Sequence, residues 1–315
     1  TVPGYGPVFN AGVLRHEGLY HLFARGVRSG YQKGDGSGPD FVDYVSDILV
    51  FISRTGLAYE FAYVLAAGGR DGAYAFEDPR VQWVTSRGGR RLVMTYTNLP
   101  TPESGRPWQI GAHALSWEGE RFWLDASTGS LLGPHGVPDK DAVVFTLADG
   151  RVALIHRIHP AMQLAVFDDL EHLFEASPTY WESYLVELDH HTLLTPTPGA
   201  LGVGAGAPPV RTDLGFLLFF HERRADGSYT MNLALLDELT GRVLVRLPEP
   251  ILQPELSWER LGDVNDVVFV QGAHLEGDEI YLTYGAADRC VGAATASVSH
   301  LLALLSAHGG AAPGS

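Results

Sequence analysis

The sequence predicts an all-β protein, a five-bladed β-propeller with its active site in a central pocket. Three observations support this: helical periodicity is nearly absent, short apolar runs recur along the chain, and these runs return at a nearly constant interval. Runs of five or six apolar residues are typical of strands buried on both faces, as in stacked blades. Each run follows a glycine-containing turn, and the five runs of this first kind span residues 18–25, 89–96, 150–157, 215–221 and 277–284.

A second kind of run, rich in small and β-branched residues, follows each first run. These second runs span residues 48–53, 109–116, 162–168, 229–236 and 292–300. The glycines that open the first runs are 71, 61, 65 and 62 residues apart, close to one fifth of the 315-residue chain. Such a repeat indicates an array of units, and each unit has room for the four short strands of a propeller blade. The alternative, a β-sandwich with accidentally regular strands, does not predict so even a spacing.

Composition limits the organisation and the partners of the chain. We expect one catalytic domain over residues 1–315, with a short C-terminal tail from about residue 303 and short helices near 168–175 and 298–307.

The formal net charge of −15 argues against nucleic acid and anionic membranes as partners. No apolar stretch approaches the roughly 20 residues that span a bilayer. The single cysteine, Cys290, excludes an intrachain disulfide and a cysteine-based zinc cage. We expect a cytoplasmic protein, and a homo-oligomer is one assembly that the sequence allows.

The ends of the first runs are unusually polar. They carry Arg25, residues 96–98, residues 156–157, residues 221–222 and Tyr284. Residues at the ends of innermost propeller strands converge on one pocket, so five polar ends at equivalent repeat positions predict a shared polar site. Any one of them taken alone is more often a solvated strand end.

Carboxylates cluster around this set of polar residues. The segment Glu77-Asp78-Pro79-Arg80 precedes the second repeat, Asp141 precedes the third, and Asp288 follows the fifth. We expect extended backbone at Asp78, because it precedes a proline; the alternative for any one of these acids is an ordinary turn residue. An acid flanked by arginine inside an aromatic-lined channel suits sugar binding and glycosidic bond cleavage.

Other chemistries have weaker support. His156, His159 and the pair 190–191 have no third ligand at regular spacing, so we expect no metal. The glycine-rich segment 202–206 lacks a following Lys-Ser/Thr and runs into Pro208, which forbids the helix of a phosphate loop. No Gly-x-Ser-x-Gly elbow occurs, so a serine hydrolase is unsupported. We expect no cofactor.

Taken together, the motifs resemble glycoside hydrolase family 130, the β-mannoside phosphorylases and β-mannosidases, over almost the whole chain. The order and spacing of the motifs carry the resemblance rather than any one of them. They are residues 9–12, 77–80, 140–142, 156–157, 207–209, the strand with His221, 262–269, 284–288 and 292–296.

The resemblance implies a five-bladed propeller, an inverting mechanism and a pocket that recognises mannose in an oligosaccharide. Asp78 matches the family's general acid, and in the phosphorylases its proton is thought to reach the glycosidic oxygen through a sugar hydroxyl. The further substrate contacts that we expect are Asn10, Arg25, Asp47, Ser53, Arg54, Arg80, Asn98, Asp141 and Asp288.

The family divides by its nucleophile. A phosphorylase holds a phosphate dianion with cationic and hydrogen-bonding side chains, whereas an inverting hydrolase needs a carboxylate base to activate water. A carboxylate beside the phosphate would repel it, so the two demands conflict. This sequence retains Lys140, Arg157, His221 and Tyr284 of the phosphate-binding set.

Missing arginines and additional glutamates both favour the hydrolase. Gln109 stands where phosphorylases typically have arginine, and the 96–98 segment has no arginine either, although Arg106 lies close enough to substitute. Glu222 stands where phosphorylases commonly have glycine, and Glu182 resembles the region where hydrolases place a base. We therefore expect an inverting β-mannosidase, with Asp78 as the acid and Glu182 or Glu222 activating water.

Three other functions stay open. The first is a β-mannoside phosphorylase that forms α-mannose 1-phosphate from inorganic phosphate. The second is a non-catalytic sugar-binding propeller, against which the intact Asp78 argues. The third is a five-bladed glycosidase acting on arabinans or fructans, which needs a pattern of acid and nucleophile not found here.

Overall fold

A computed structural model describes residues 2–34 and 41–309 of the chain. In these residues five antiparallel sheets follow one another along the sequence, and the first strands of neighbouring sheets contact each other around an axis. The sheets are therefore the blades of a five-bladed β-propeller, which confirms the predicted fold class. No helix in the described ranges is long and apolar enough to cross a membrane.

Blades 1 and 2 occupy the first part of the chain. Blade 1 and its hairpin comprise β1 (Tyr5–His16), β2 (Leu19–Arg28), β3 (Gln32–Lys33), β4 (Phe41–Val42), β5 (Ser46–Ser53) and β6 (Glu60–Ala66). Blade 2 comprises β7 (Ala75–Ser86), β8 (Gly89–Leu99), β9 (Gln109–Glu118), β10 (Arg121–Leu124) and β11 (Ser130–Leu132), with a short 3-10 turn at Pro102–Ser104. The spatial orders are β1-β2-β5-β6 and β7-β8-β9-β10, so each blade is a meander.

Blades 3 to 5 complete the ring. Blade 3 comprises β12 (Lys140–Thr146), β13 (Val152–Arg157), β14 (Met162–Phe167), α1 (Leu170–Phe174), α2 (Pro178–Val186), α3 (Leu188–His191) and β15 (Thr192–Leu194). Blade 4 comprises β16 (Ala200–Ala205), β17 (Val210–Thr212), β18 (Gly215–Arg224), β19 (Tyr229–Leu236) and β20 (Val243–Arg246). Then follow α4 (Ser257–Arg260), the blade 5 strands β21 (Val268–Glu276), β22 (Glu279–Ala286) and β23 (Cys290–Ser297), and α5 (Val298–Gly309).

The two repeated runs are real strands, but they are not the innermost strands of the blades. The first runs form β2, β8, β13, β18 and β22, each second in its sheet, and the second runs form the third strands. The innermost strands are β1, β7, β12, β16 and β21, which precede the runs. Breaks in their regular pairing hide most of them in the sequence, because an irregular register interrupts the alternation that marks a strand.

Three of the innermost strands carry a bulge at an equivalent place. Asn10, Asp78 and Asp141 each lie at a register shift and adopt a positive φ, of 46°, 53° and 55°. Asn and Asp tolerate this left-handed conformation better than most residues. A bulge redirects the side chain at the point where it occurs, and here it brings three polar side chains together near the axis.

The core lies between the blades. Phe145 of β12 packs edge-on against Phe216 of β18, with ring centroids 5.1 Å apart, so blades 3 and 4 share one apolar cluster. Phe219 and Phe220 are fully buried on the two faces of β18, as the apolar run predicted. Helix α5 continues past residue 303 to Gly309, and its Leu305 is fully buried against blades 4 and 5.

Candidate active site

Asp78 lies at the centre of the site, held by side chains from blade 1. Asn10 Nδ2 donates a hydrogen bond to Asp78 Oδ1 at 2.7 Å, and the Arg25 guanidinium donates to the same oxygen at 3.2 Å. Asp78 Oδ2 receives no hydrogen bond from the described residues, so one carboxyl oxygen is available to a substrate. The prediction of extended backbone at Asp78 was wrong: its φ is 53°, because the bulge outweighs the preference that the following proline imposes.

Two further carboxyls stand beside Asp78. Glu77 accepts a hydrogen bond from Arg25, and burial together with Asp78 raises its pKa even though Arg25 opposes the shift. Burial, aided by the nearby charges of Asp78 and Glu77, raises the pKa of Asp288 to about 7. Tyr44 also accepts a hydrogen bond from Arg25, at 2.5 Å. The site therefore holds a proton-rich cluster of carboxyl groups around one buried arginine.

Arg25 keeps its charge within this cluster. Burial disfavours the charged guanidinium, but Glu77, Tyr44 and Asp78 outweigh it and raise the pKa of Arg25. The guanidinium also lies over the Phe9 ring, with Cζ 4.8 Å from the ring centroid. Arg25 is thus a fixed cation that orients Asp78 and Glu77.

Asp141 forms a second, deeper network with Arg80 and His221. The Arg80 guanidinium lies 3.2 Å from Asp141 Oδ1, and Arg157 Nε and His221 Nε2 lie 3.0 and 3.4 Å from Oδ2. Burial alone would raise the pKa of Asp141, but Arg157, His221 and Arg80 hold it well below its usual value. Burial, helped by Arg157 and Arg80 and opposed by Asp141, lowers the pKa of His221. A charged Asp141 therefore meets a neutral histidine at neutral pH.

Gly204 makes room for this network. A Cβ at position 204 would collide with Asp141 Oδ2 and with the His221 imidazole. Arg80 is fixed from the same blade, since it donates to the carbonyl oxygens of Ala205 and Gly206 at 2.8 Å each. The three side chains are nearly inaccessible, so they form the base of the site and not its mouth.

The mouth next to Asp141 is surrounded by the cationic side chains of Lys140, Arg157 and Arg223, with His159 among them. Lys140 and Arg157 are half-buried, and His159 and Arg223 are exposed, all at the corresponding end of blades 3 and 4. Burial and the charges of Arg157, Arg223 and Lys140 lower the pKa of His159. The mouth on this side has a surplus of positive charge, although the whole chain is strongly acidic.

Three predicted sugar contacts of blade 1 are wrong. Asp47 has both oxygens engaged, by Arg28 at 2.9 and 3.0 Å and by Tyr5 and the Gly68 amide, so it clamps blade 1. Ser53 pairs with Tyr20 at the opposite end of the blade, and its hydroxyl caps a turn by accepting from the Thr55 and Gly56 amides. Arg54 follows it there. Strands β2 and β5 are antiparallel, so residues at the end of β5 cannot meet the end of β2.

Glu222 does not face the channel. The pairing of β18 places His221 and Glu222 on opposite faces, and His221 takes the inward position. The Glu222 carboxylate is buried 2.7 Å from Arg246 on the outer strand and accepts hydrogen bonds from the amide and hydroxyl of Thr197. Its assignment as a base is therefore wrong, because it ties the edge of blade 4 together.

Glu182 lies on a helix and not on a loop over the pocket. Ser177 caps α2 by accepting from the Tyr180 amide. Trp181 is buried with the apolar cluster between blades 2 and 3, and Tyr184 bonds to His156, which leaves Glu182 exposed. The structure therefore places Glu182 on the solvent-exposed side of α2.

Asn98 and Tyr284 lie beside the centre of the site. Asn98 lines a separate cavity at the same end of blade 2, and its Nδ2 is 3.5 Å from the Gly72 carbonyl oxygen. The Tyr284 hydroxyl donates to the buried Glu259 at 2.8 Å, on the outer side of blade 5. Tyr284 therefore supports the blade and does not reach the cationic mouth.

Sequence reasoning missed four residues of the site: Glu77, Tyr44, His159 and Arg223. Glu77 carried a signal, since it adjoins the predicted acid, and Arg223 follows directly after the His221 strand. Tyr44 and His159 stand in connections whose path the sequence pattern does not reveal.

A five-bladed propeller with a carboxylic acid, an arginine clamp and a cationic mouth at one end of its axis defines a class of carbohydrate-active protein. The chain matches the profile of glycoside hydrolase family 130, described as beta-1,4-mannooligosaccharide phosphorylase, over residues 2–307. The chain belongs to this family.

Three known proteins illustrate the relationship. A beta-1,2-mannobiose phosphorylase of Thermoanaerobacter sp. (strain X514) is 30% identical over 304 residues, covering 91% of this chain and 89% of the relative. The solved structure of the Listeria innocua beta-1,2-mannobiose phosphorylase matches with a TM-score of 0.76 at 22% identity, covering 98% and 94% of the two chains. A GH130 structure described in connection with glycoside hydrolases that target β-1,2 mannosidic linkages in Candida mannan matches at 0.71 and 22%, covering 93% and 85%. At these identities the two structures support the fold alone.

Proposed function

We propose that this protein is a β-mannoside phosphorylase, which transfers a mannosyl group from a β-mannoside to inorganic phosphate and releases α-mannose 1-phosphate. The observation that carries the proposal is the cationic mouth formed by Lys140, Arg157 and Arg223 beside the deep Asp141 network. Arginine and lysine are the side chains that bind phosphate best. The whole-length phosphorylase relative supports the same reaction and suggests β-1,2-linked substrates.

The expectation of a hydrolase depended on the absence of arginine at Gln109 and at residues 96–98 and on two carboxylates, whose surroundings argue against the role of base. An inverting hydrolase needs a base about 6.5–9.5 Å from its acid, across the sugar. Glu222 is neutralised by Arg246 at the blade edge, and Glu182 is exposed on the outer helix. Without those bases, phosphate is the nucleophile that the charge of the mouth favours.

The proposed chemistry follows from the arrangement of the side chains. Asp78 supplies the proton, directly or through a sugar hydroxyl, to the glycosidic oxygen as the bond from that oxygen to the anomeric carbon breaks. A phosphate oxygen forms the new bond to the anomeric carbon from the opposite face, so the configuration inverts. Asn10 and Arg25 hold Asp78 through one oxygen and leave the other free for this transfer. The second product is the sugar that remains after one mannosyl unit is removed.

The experiment is a comparison of β-1,2-mannobiose, and then β-1,4-mannobiose, with and without inorganic phosphate. We expect mannose 1-phosphate to form only when phosphate is present, and the Asp78→Asn variant to be the inactive control. Release of two free mannose molecules at the same rate without phosphate would overturn the proposal in favour of hydrolysis. Binding of the disaccharide with no turnover under either condition would instead support a sugar-binding propeller.

A further inference from the structure

Blade 2 has a cavity of about 420 Å³ beside the site. Its wall is formed by the connection that precedes β7, the end of β8 and the start of β9. Asn98 pairs with Phe76 on one side and with Gln109 on the other, so the cavity lies at the same end of the propeller as Asp78. Neighbouring strands are about 4.8 Å apart, which places the Gln109 backbone roughly two strand spacings, or about 10 Å, outward from β7.

The lining of this cavity suits a neutral, hydroxyl-rich ligand. Asn98, Gln109, Ser104 and Ser130 offer amide and hydroxyl groups, and a volume of a few hundred Å³ is typical of small-molecule sites. The side-chain amides of Asn98 and Gln109 donate to backbone carbonyl oxygens over 3.5 Å, long contacts that a ligand can replace at little cost.

The titratable groups of the cavity add little charge. Burial, opposed by Asp125 and Asp71, lowers the pKa of His113, so this histidine is neutral near pH 7. Asp71 is paired with Arg70 at 2.9 Å. Arg106 is exposed at the rim and is the remaining charged side chain that lines the cavity among the described residues. The cavity has one cationic side chain at its rim, whereas the mouth beside Asp141 has several. An uncharged sugar therefore suits this cavity better than phosphate.

Trp108 connects the cavity to the active site. Its ring is 45% exposed and lies with its centroid 5.8 Å from Lys140 Nζ, and its carbonyl oxygen accepts a hydrogen bond from the Asp139 amide at 3.2 Å. The next residue, Gln109, already lines the cavity. An exposed aromatic ring between two polar pockets offers a flat apolar surface to the face of a pyranose.

We propose that this cavity binds mannosyl units beyond the second one of a manno-oligosaccharide, with Trp108 under the chain between the active site and the cavity. The inference rests on the proposed function, since it assigns a place to the longer substrates of the same reaction. The cavity then sets chain-length preference, while the groups around Asp78 perform the cleavage.

The test compares the disaccharide and the tetrasaccharide of one linkage as substrates of the parent, Trp108→Ala and Ser130→Ala. We expect kcat/KM for the tetrasaccharide to fall about fivefold to tenfold in each variant, as the loss of one aromatic or hydrogen-bonding contact predicts. The value for the disaccharide should stay within about twofold, because it does not reach the cavity. Trp123→Ala is the matched control, since Trp123 is also 45% exposed on blade 2 but lies on β10, paired with the far end of β9.

Two results would overturn the inference: an equal loss for both substrates, which would place Trp108 in the active site or the core, and no loss for either.

Calorimetric binding of the tetrasaccharide to Asp78→Asn, with and without Trp108→Ala, tests the cavity without turnover. If the parent cleaves no disaccharide, the proposed function fails. A tenfold weaker tetrasaccharide affinity caused by Trp108→Ala would still support the cavity, and an unchanged affinity would refute it.

Discussion

Replacing Lys140 with glutamine tests the phosphate site most directly. Lys140 opens β12 next to Asp141 and pairs with Arg157, and its ammonium is close enough to lower the pKa values of Glu77 and Asp288 in opposition to their burial. It therefore lies between the carboxyl cluster and the cationic mouth. Glutamine keeps most of the side-chain length and its ability to donate a hydrogen bond, but removes the charge.

The expected size of the effect follows from the interaction that is lost. A hydrogen bond to a charged group contributes about 1.5–3 kcal/mol, which corresponds to a change of about 10-fold to 150-fold in an equilibrium constant. We expect KM for phosphate to rise by that factor, while kcat at saturating phosphate falls much less. Because the contact is electrostatic, KM for phosphate in the parent should also rise with ionic strength, and this dependence should weaken in the variant.

The assay measures initial rates of mannose 1-phosphate formation over a series of phosphate concentrations. Arg211→Gln is the control, because it also removes one positive charge but lies exposed in β17, beside the turn that opens β18 and away from the His221 end. An unchanged KM for phosphate in Lys140→Gln, with normal dependence on salt, would refute the assignment of the cationic mouth as the phosphate site. A fall in kcat alone would place Lys140 with the acid instead.

Three other variants test the remaining assignments. Asp78→Asn should lower kcat by about 10²–10⁴-fold with an unchanged melting temperature, since general acid catalysis is worth that factor; near-parental activity would make Asp78 a turn residue. Glu222→Gln should keep kcat within about threefold and cost roughly 1–3 kcal/mol of stability in denaturant unfolding, because it leaves Arg246 buried without its partner; a hundredfold loss of activity with full stability would restore its role as a base. Asp288→Asn should remove a pH dependence: the native pKa of Asp288, about 7, is above the unfolded value, so parental stability falls between about pH 4 and 7, where the unfolded chain has lost this proton and the folded protein still holds it, and the variant should gain about 1–2 kcal/mol at pH 8. Equal pH profiles of unfolding for parent and variant would contradict that pKa.

The repeat in the sequence was enough to predict the blades, because buried strands need apolar residues whatever their position in a sheet. It was not enough to order the strands within a blade. The innermost strands interrupt their own pairing with bulges at Asn10, Asp78 and Asp141, so their pattern is weaker than that of the strands behind them. The feature that hides these strands in the sequence also places the site residues.

The wrong assignments of site residues share a physical cause. Ser53 and Glu222 have the right chemistry and the right order along the chain, but one lies at the far end of an antiparallel strand and the other on its outer face. A shift of one residue reverses the face of a strand, and sequence patterns in strands buried on both faces do not reveal which face is inward. His221 and Glu222 could be told apart only by their partners, Asp141 and Arg246.

Two groups of charges lie around the axis, and their placement supports the proposed displacement by an anion. Blades 5 and 2 contribute Asp288, Glu77 and Asp78, with Arg25 of blade 1 between them, whereas blades 3 and 4 contribute the cationic mouth. An inverting transfer needs its proton donor and its nucleophile on opposite faces of the sugar. Burial raises the pKa values of Glu77 and Asp288 on one side, and an excess of guanidinium and ammonium groups attracts phosphate to the other. In the proposed reaction a sugar bound between the two sides would meet the Asp78 acid on one face and phosphate on the other.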